Sequence, residues 1–182
     1  SAVRPRGARA FAPLRACRIP VESAAAAGSR RQQRRRGADH RRTAAAAGAD
    51  ATVAAVKAAG LAYTGTRTQT DKKSPWYTIT GVSKGGKSYN IAWLGCSYST
   101  NGIPDRKGQV LMCYKQRALV LSTIKSLAAR KDIAAVILAP HWGNEYRHRP
   151  NRRQVSLARA ALNAGATAVI GTHPHVIQPM ER

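Results

Sequence analysis

His173 and His175 flank Pro174 in VIGTHPHVIQPME, residues 169–181, and His141 opens HWGNEY at the end of another apolar run, DIAAVILAP. Imidazole suits zinc, iron and mixed manganese sites, so histidines brought together in this way would hold a divalent metal. Glu145 and Asn101 are the carboxylate and amide placed to add oxygen donors, and Trp142 is the ring placed to wall such a site. Pro174 disfavours helical backbone at His173, which predicts an extended turn in which His173 and His175 point the same way. A single strand-end histidine is ordinarily a loop residue with satisfied hydrogen bonds; several at two neighbouring strand ends argue for a site. His148, between Arg147 and Arg149, has no such placement and reads as exposed, while Trp142 and Tyr146 also suit plain loop packing.

The histidines converge only if the two apolar runs are neighbouring strands. DIAAVILAP, bounded by Asp132 and Pro140, and ATAVIG both read as buried strands, the first as covered on both faces. Between them PNRRQVSLARAALNAG has Asn151 and Gln154 at capping-box spacing, Val155, Ala158 and Leu162 on one face, and Gly165 as a stop. A helix over 151–164 is expected, joining parallel strands over 133–139 and 166–171. Open α/β sheets bind ligands beyond the carboxyl ends of their strands, where these histidines would lie. Upstream, DATVAAVKAAG predicts a helix capped by Asp50 and stopped by Gly60, and LAYTG a short strand. WYTIT and SYNIAWLG predict a hairpin turning at the glycines of GVSKGGK, and QRALVLSTIKSLAAR a further helix. SKGGKS lacks the spacing and the following helix of a phosphate loop and is rejected as a nucleotide site.

Composition bounds the partners. The 182 residues, 43% of them hydrophobic, suit one ordinary domain. No apolar run approaches the length of a membrane span, and no apolar segment follows the N-terminal arginines as a secretory signal would. Cys17, Cys96 and Cys113 are widely spaced and odd in number, so buried or idle thiols are expected rather than a zinc knuckle or a disulfide framework. The net charge of +23 points to an anionic partner: an acidic polymer, a phosphate-containing substrate or nucleic acid. Residues 1–50 hold twelve arginines and no lysine against three acids, interleaved with alanine runs. Residues 1–48 are accordingly expected to form a low-complexity, disordered Arg/Ala-rich leader, before a domain over 49–182. A nucleic-acid-binding arm and out-of-frame translation of a GC-rich gene are the other readings of that composition.

HWGNEY, the following pattern P..RQ..LA..ALNAGA, and VIGTHPHVIQPME together resemble the capsule-synthesis CapA family, also called the poly-gamma-glutamate biosynthesis family. ATVAAVKAAGLAYTGT and YSTNGIP extend the likeness over roughly residues 50–182, in family order. The resemblance implies a calcineurin-like metallophosphoesterase fold: an α/β sandwich with βαβ units, partial here, whose site collects ligands from strand-end loops. It implies His141 as the HWG histidine and His173 and His175 as the paired GxHPH histidines, ligands of Mn, Fe or Zn, with two ions in the complete family site. Glu145 then becomes a shaping acid, and Asn101 a more distant oxygen donor. The family's upstream motifs are not intact; His40, in GADHRR, falls at about the distance before Thr52 where the NNH histidine belongs and is the catalytic candidate there. The family continues past the HPH turn whereas this chain ends at Arg182, so a fragment with an incomplete, weakly binding metal site is expected. The implied setting is the cell envelope and its partners, and the implied chemistry is phosphoester hydrolysis. Against it stands a non-enzymatic reading, a basic protein that binds an acidic polymer or nucleic acid.

Overall fold

The computed structural model describes residues 46–182, so most of the expected leader, His40 included, lies outside the described residues. Helix α1 occupies 46–58, and Gly60 turns the chain out of it at φ 67°. Asp50 sits inside this helix rather than capping it. Its carboxylate accepts from the Gln69 backbone N–H at 2.9 Å and from the side-chain amides of Gln69 and Gln109, each at 2.8 Å. The residue read as a cap is instead a lock between α1 and two loops.

LAYTG forms no strand. Its backbone runs past the sheet, and Thr64 attaches it: the hydroxyl donates to the Trp76 carbonyl at 2.6 Å and accepts from the Gly95 N–H at 2.9 Å. The predicted hairpin follows as strands β1 (Tyr77–Lys84) and β2 (Lys87–Ser97), antiparallel, with Lys84 opposite Lys87. Gly85 and Gly86 carry φ of 59° and 75°, the left-handed pair that a two-residue turn between twisted strands requires.

From β2 the chain enters helix α2 (Arg117–Ala128), strand β3 (Ala135–His141), helix α3 (Arg152–Asn163) and strand β4 (Ala168–Val169). The sheet order is β1-β2-β3-β4, with β2, β3 and β4 mutually parallel, each parallel step bridged by a helix. The expected strand–helix–strand unit is therefore present, as is the capping box. Asn151 accepts from the Gln154 N–H at 3.0 Å, and Gln154 Oε1 accepts from the Asn151 N–H at 2.9 Å. Among the described residues no helix is long and apolar enough to cross a membrane.

Both helices pack on one face of the sheet. Ala92, Leu94 and Cys96 of β2 and Val136 and Leu138 of β3 meet Val120, Ile124 and Leu127 of α2 and Leu157 and Ala161 of α3 in one cluster. Burial alternates along β3, so Val136, Leu138 and Pro140 are covered whereas Ala135, Ile137 and Ala139 are only half-buried. The expectation of cover on both faces is corrected here: an unbroken apolar run does not reveal which neighbour each face has. On α3 the buried stripe is Gln154, Leu157 and Ala161, one position away from the face read from the sequence. Gly165 ends this helix at φ 105°, where a Cβ would stand 2.6 Å from the Ala128 Cβ of α2. Bare backbone is what lets the two helices close at that end.

Cys96 and Cys113 form a disulfide, which overturns the idle-thiol expectation for this pair. A separation of 17 residues gave no local motif, and only the parallel bridge between Ser97 and Met112 brings the two cysteines side by side. The bond closes the loop that carries Tyr98 and the NGIP turn. Reducing it is expected to remove about 3 kcal/mol of stability, as for a closed loop of this size. Melting curves with and without reductant measure that; superimposable curves would deny the disulfide a stabilising role.

Candidate metal centre

The carboxyl ends of β2, β3 and β4 lie in register, and each delivers a ring. The last parallel pair of β2 and β3 joins Ser97 to His141, and a parallel bridge beyond β4 joins His141 to Thr172. The Tyr98 N–H donates to the His141 carbonyl at 2.9 Å, and the Trp142 N–H to the Thr172 carbonyl at 3.1 Å. The rings beyond the strands gather more closely than the strand order alone would place them, since Tyr98 after β2 and His173 after β4 approach across β3, while Tyr98 and His141 stand 6.2 Å apart. The His173 ring centroid is 4.6 Å from His141 and 4.8 Å from Tyr98, and His175 lies 6.0 Å from His173.

Glu145, His173 and His175 each offer one ligand atom, and these atoms lie within 4.8 Å of one another. His175 Nε2 is 3.9 Å from Glu145 Oε1. Two imidazoles and a carboxylate are donor types that suit zinc, iron or manganese, and here His175 and Glu145 are both more than half exposed. His141 stands beside this trio at the neighbouring strand end. Its Nδ1 is 3.4 Å from Thr172 Oγ1, which leaves Nε2 open.

The turn reaches this arrangement by a route different from the one expected. Instead of extended backbone, His173 has φ 95° and His175 φ 58°, so the chain passes through left-handed conformations on both sides of Pro174. Such values are uncommon for residues with a Cβ and need surrounding structure to hold them. Pro174 is buried, and its carbonyl accepts from the Tyr146 N–H at 2.8 Å. Tyr146 itself has φ 57°, and its ring stacks on His175 at 5.7 Å. Gln178 adds a second tie: its Nε2 donates to the Arg147 carbonyl at 2.8 Å, and its Oε1 accepts from Gln154 Nε2 at 2.9 Å. The loop after β3 and the turn after β4 are thus bound to each other and to the start of α3.

Glycines allow the close approach. At Gly143 a Cβ would lie 2.7 Å from Gln154 Nε2, and at Gly171 one would lie 2.5 Å from Trp142 Nε1. Trp142 is buried in the core beneath Gly171, below the histidines. Asn101 lies in the turn after Tyr98 at φ 52°, its N–H bonded to Ser99 Oγ at 3.0 Å; among the described residues it makes no hydrogen bond to an imidazole. His148 is exposed, its Nδ1 3.2 Å from the Ile177 carbonyl. The residue that sequence reading missed is Tyr98. Its signal was available, because it is the first residue after β2 and so occupies the same edge as His141 and His173.

Burial holds the His141 imidazole below its ordinary value of 6.5, helped by the neighbouring His173 and His175 and opposed by Glu145. Its neutral form is therefore favoured at neutral pH, the form that can bind a metal or accept a proton.

Residues 37–182 match the family model described as bacterial capsule synthesis protein PGA_cap. Among curated proteins, the PGA biosynthesis protein CapA of Bacillus subtilis (strain 168) is 37% identical over 93 residues, 48% of this chain and 24% of that protein. The capsule biosynthesis protein CapA of Bacillus anthracis is 30% identical over 137 residues, 74% of this chain and 32% of its own length. The matches therefore span about a quarter to a third of these relatives. No solved structure matches the chain. The family match takes in every element described above, with the three strand ends and the HPH turn inside it, and the chain belongs to the PGA_cap family of bacterial capsule synthesis proteins.

Proposed function

We propose that this chain supplies the histidine-bearing part of a metal site in a capsule or poly-gamma-glutamate biosynthesis protein, and that the site serves metal-dependent hydrolysis of a phosphate ester. The observation that carries this is the convergence of Glu145, His173 and His175, with ligand atoms within 4.8 Å of one another, at the carboxyl edge of a parallel sheet. His141 completes the set from the adjacent strand. A divalent Mn, Fe or Zn ion held there would polarise a phosphoryl oxygen as a Lewis acid. A second ion would draw oxygen ligands from outside the described residues.

The remaining work falls to the chain's own groups. His173 and His175 bind through imidazole nitrogens whose direction is set by the strained turn, and Glu145 balances charge beside His175. Tyr98 lies against His173 and Tyr146 is stacked on His175, so a ring flanks each imidazole of the pair at an edge open to solvent. His141, favoured in its neutral form, would offer its imidazole to the ion from the neighbouring strand end. The Cys96–Cys113 disulfide supports an oxidising setting such as the cell envelope, where the substrate would be a phosphate-containing compound or an anionic polymer.

Hydrolysis of an activated phosphodiester in the presence of Mn tests the reading. Turnover is expected to disappear with chelator and to change little between low and moderate salt. Polymer binding that collapses with salt, together with no metal uptake and no chelator-sensitive turnover, would instead favour the binding-protein alternative that the charge of +23 suggests.

A further inference from the structure

An open cavity of about 570 Å³ lies beside the histidine edge, between the loop that follows β2 and the residues that lead into α2. Tyr98 belongs to both places. It lines the cavity, and its ring lies 4.8 Å from His173 and 6.2 Å from His141. The volume falls within the roughly 300–1,000 Å³ of small-molecule sites. Ile103, Val110 and Met112 supply an apolar wall.

The loop holds its shape by bonding its own polar groups to one another. The two carboxylate oxygens of Asp105 accept from the Gln109 and Val110 N–H groups, each at 2.8 Å, and the Thr100 hydroxyl donates to the Ile103 carbonyl. At its base the Ser97 N–H donates to the Leu111 carbonyl at 2.9 Å, the Cys113 N–H donates to the Ser97 carbonyl at 2.8 Å, and the Cys96–Cys113 disulfide closes the loop. Two donors on the lining are left over. Gln116 accepts from the Met112 N–H through Oε1 at 2.8 Å, whereas its Nε2 makes no hydrogen bond among the described residues. Lys115 is exposed and pairs with no carboxylate there; the pairs present are Arg130–Asp132, Arg159–Glu181 and His175–Glu145. A spare ammonium and a spare amide N–H beside an apolar wall suit an organic group that ends in an anion.

We propose that this cavity receives the alcohol part of the phosphate ester, and that Lys115 and Gln116 select a small ester whose alcohol part carries one carboxylate. The proposal names a substrate class for the hydrolysis reading and rests on it. The phosphoryl group would lie at the histidine edge, with the organic group passing Tyr98 into the cavity. Hydrolysis breaks the P–O bond to that alcohol; water supplies the oxygen that replaces it on phosphorus and the proton that the leaving oxygen takes up. One ammonium and one amide N–H match the single charge of a carboxylate, whereas a second phosphate would bring about −1.5 to −2 and three strong acceptor oxygens. Lys115 is thus a specificity-determining residue that acts on binding.

The test compares the full unaltered chain with K115Q and with K125Q, which removes the same charge from the exposed last turn of α2. Its first arm contains chelator and no substrate: binding of phenol and of 4-hydroxybenzoate is followed by ligand-observed NMR. The unaltered chain and K125Q are expected to prefer 4-hydroxybenzoate by roughly fivefold, the upper end for an ion pair open to water, and K115Q to lose that preference. The second arm follows phosphate release from phenyl phosphate and 4-carboxyphenyl phosphate with Mn. There K115Q should raise KM for the carboxylated ester by the same factor, with kcat and the KM of phenyl phosphate unchanged. No turnover in any protein, with the binding preference intact, would sink the hydrolysis reading and keep the cavity as a carboxylate site. Equal binding of the two phenols to the unaltered chain, a preference that survives in K115Q, or one lost equally in K125Q would overturn the assignment of the cavity.

Discussion

Replacing both His173 and His175 with alanine is expected to lower zinc or manganese affinity by more than about 100-fold, since loss of even outer-shell partners of a metal costs 10- to 100-fold. The two imidazoles and Glu145 form the tightest donor group among the described residues, and their removal leaves His141 with a single carboxylate nearby. The fold should survive, because His175 is exposed, His173 is only half-buried, and the Tyr146 N–H bonds to the carbonyl of Pro174, which the substitutions retain. Calorimetric titration of the two proteins, with circular dichroism to verify folding, measures the effect. Equal affinities would show that the pair is not the ligand.

Leu138→Asp should unfold the domain. Leu138 is completely buried at the centre of β3, between β2 and β4 and under the α2–α3 layer, so an aspartate there has neither water nor a partner. An uncompensated buried charge costs about 3–5 kcal/mol, a large share of the roughly 5–15 kcal/mol that holds a domain together. Ile137→Asp provides the contrast. Its side chain lies on the half-buried face, and the substitution should be the milder of the two by denaturant midpoint. A soluble Leu138→Asp protein with an unshifted midpoint would refute the core assignment.

The contrast between Leu138 and Ile137 shows what the sequence could and could not tell. The crossover unit was legible because its signals are local: an apolar run, Asn151 and Gln154 three apart, Gly165, and another apolar run. Which face of β3 is buried depends on the two helices packed against it, and no periodicity within DIAAVILAP encodes that. The same holds for α3, where a glutamine joins the buried stripe because Gln178 and the Asn151 cap satisfy its amide. Hydrophobic patterning passes over such a residue.

The site divides in the same way. Strand order and the ligand rule for parallel sheets indicated that His141, His173 and His175 would come to one edge, and the structure brings their rings there. The backbone path of the HPH turn was misread, because the preference of a pre-proline residue for extended backbone is a local tendency. Here the bonds from Tyr146 and Gln178 outweigh it. The Cys96–Cys113 bond was hidden for a related reason: the loop it closes follows from the pairing of Ser97 with Met112, a contact made only in the folded chain.

The central claim is that the strand-end histidines hold one divalent ion with Glu145, and the most direct measurement observes their nitrogens. Long-range proton–nitrogen NMR of the imidazoles is recorded while zinc is added to the full chain. The ring nitrogens of His141, His173 and His175 are expected to shift together and to stop shifting at one equivalent, with His148 unmoved. Shifts confined to His148 or His40, or none at His173 and His175, would contradict the account.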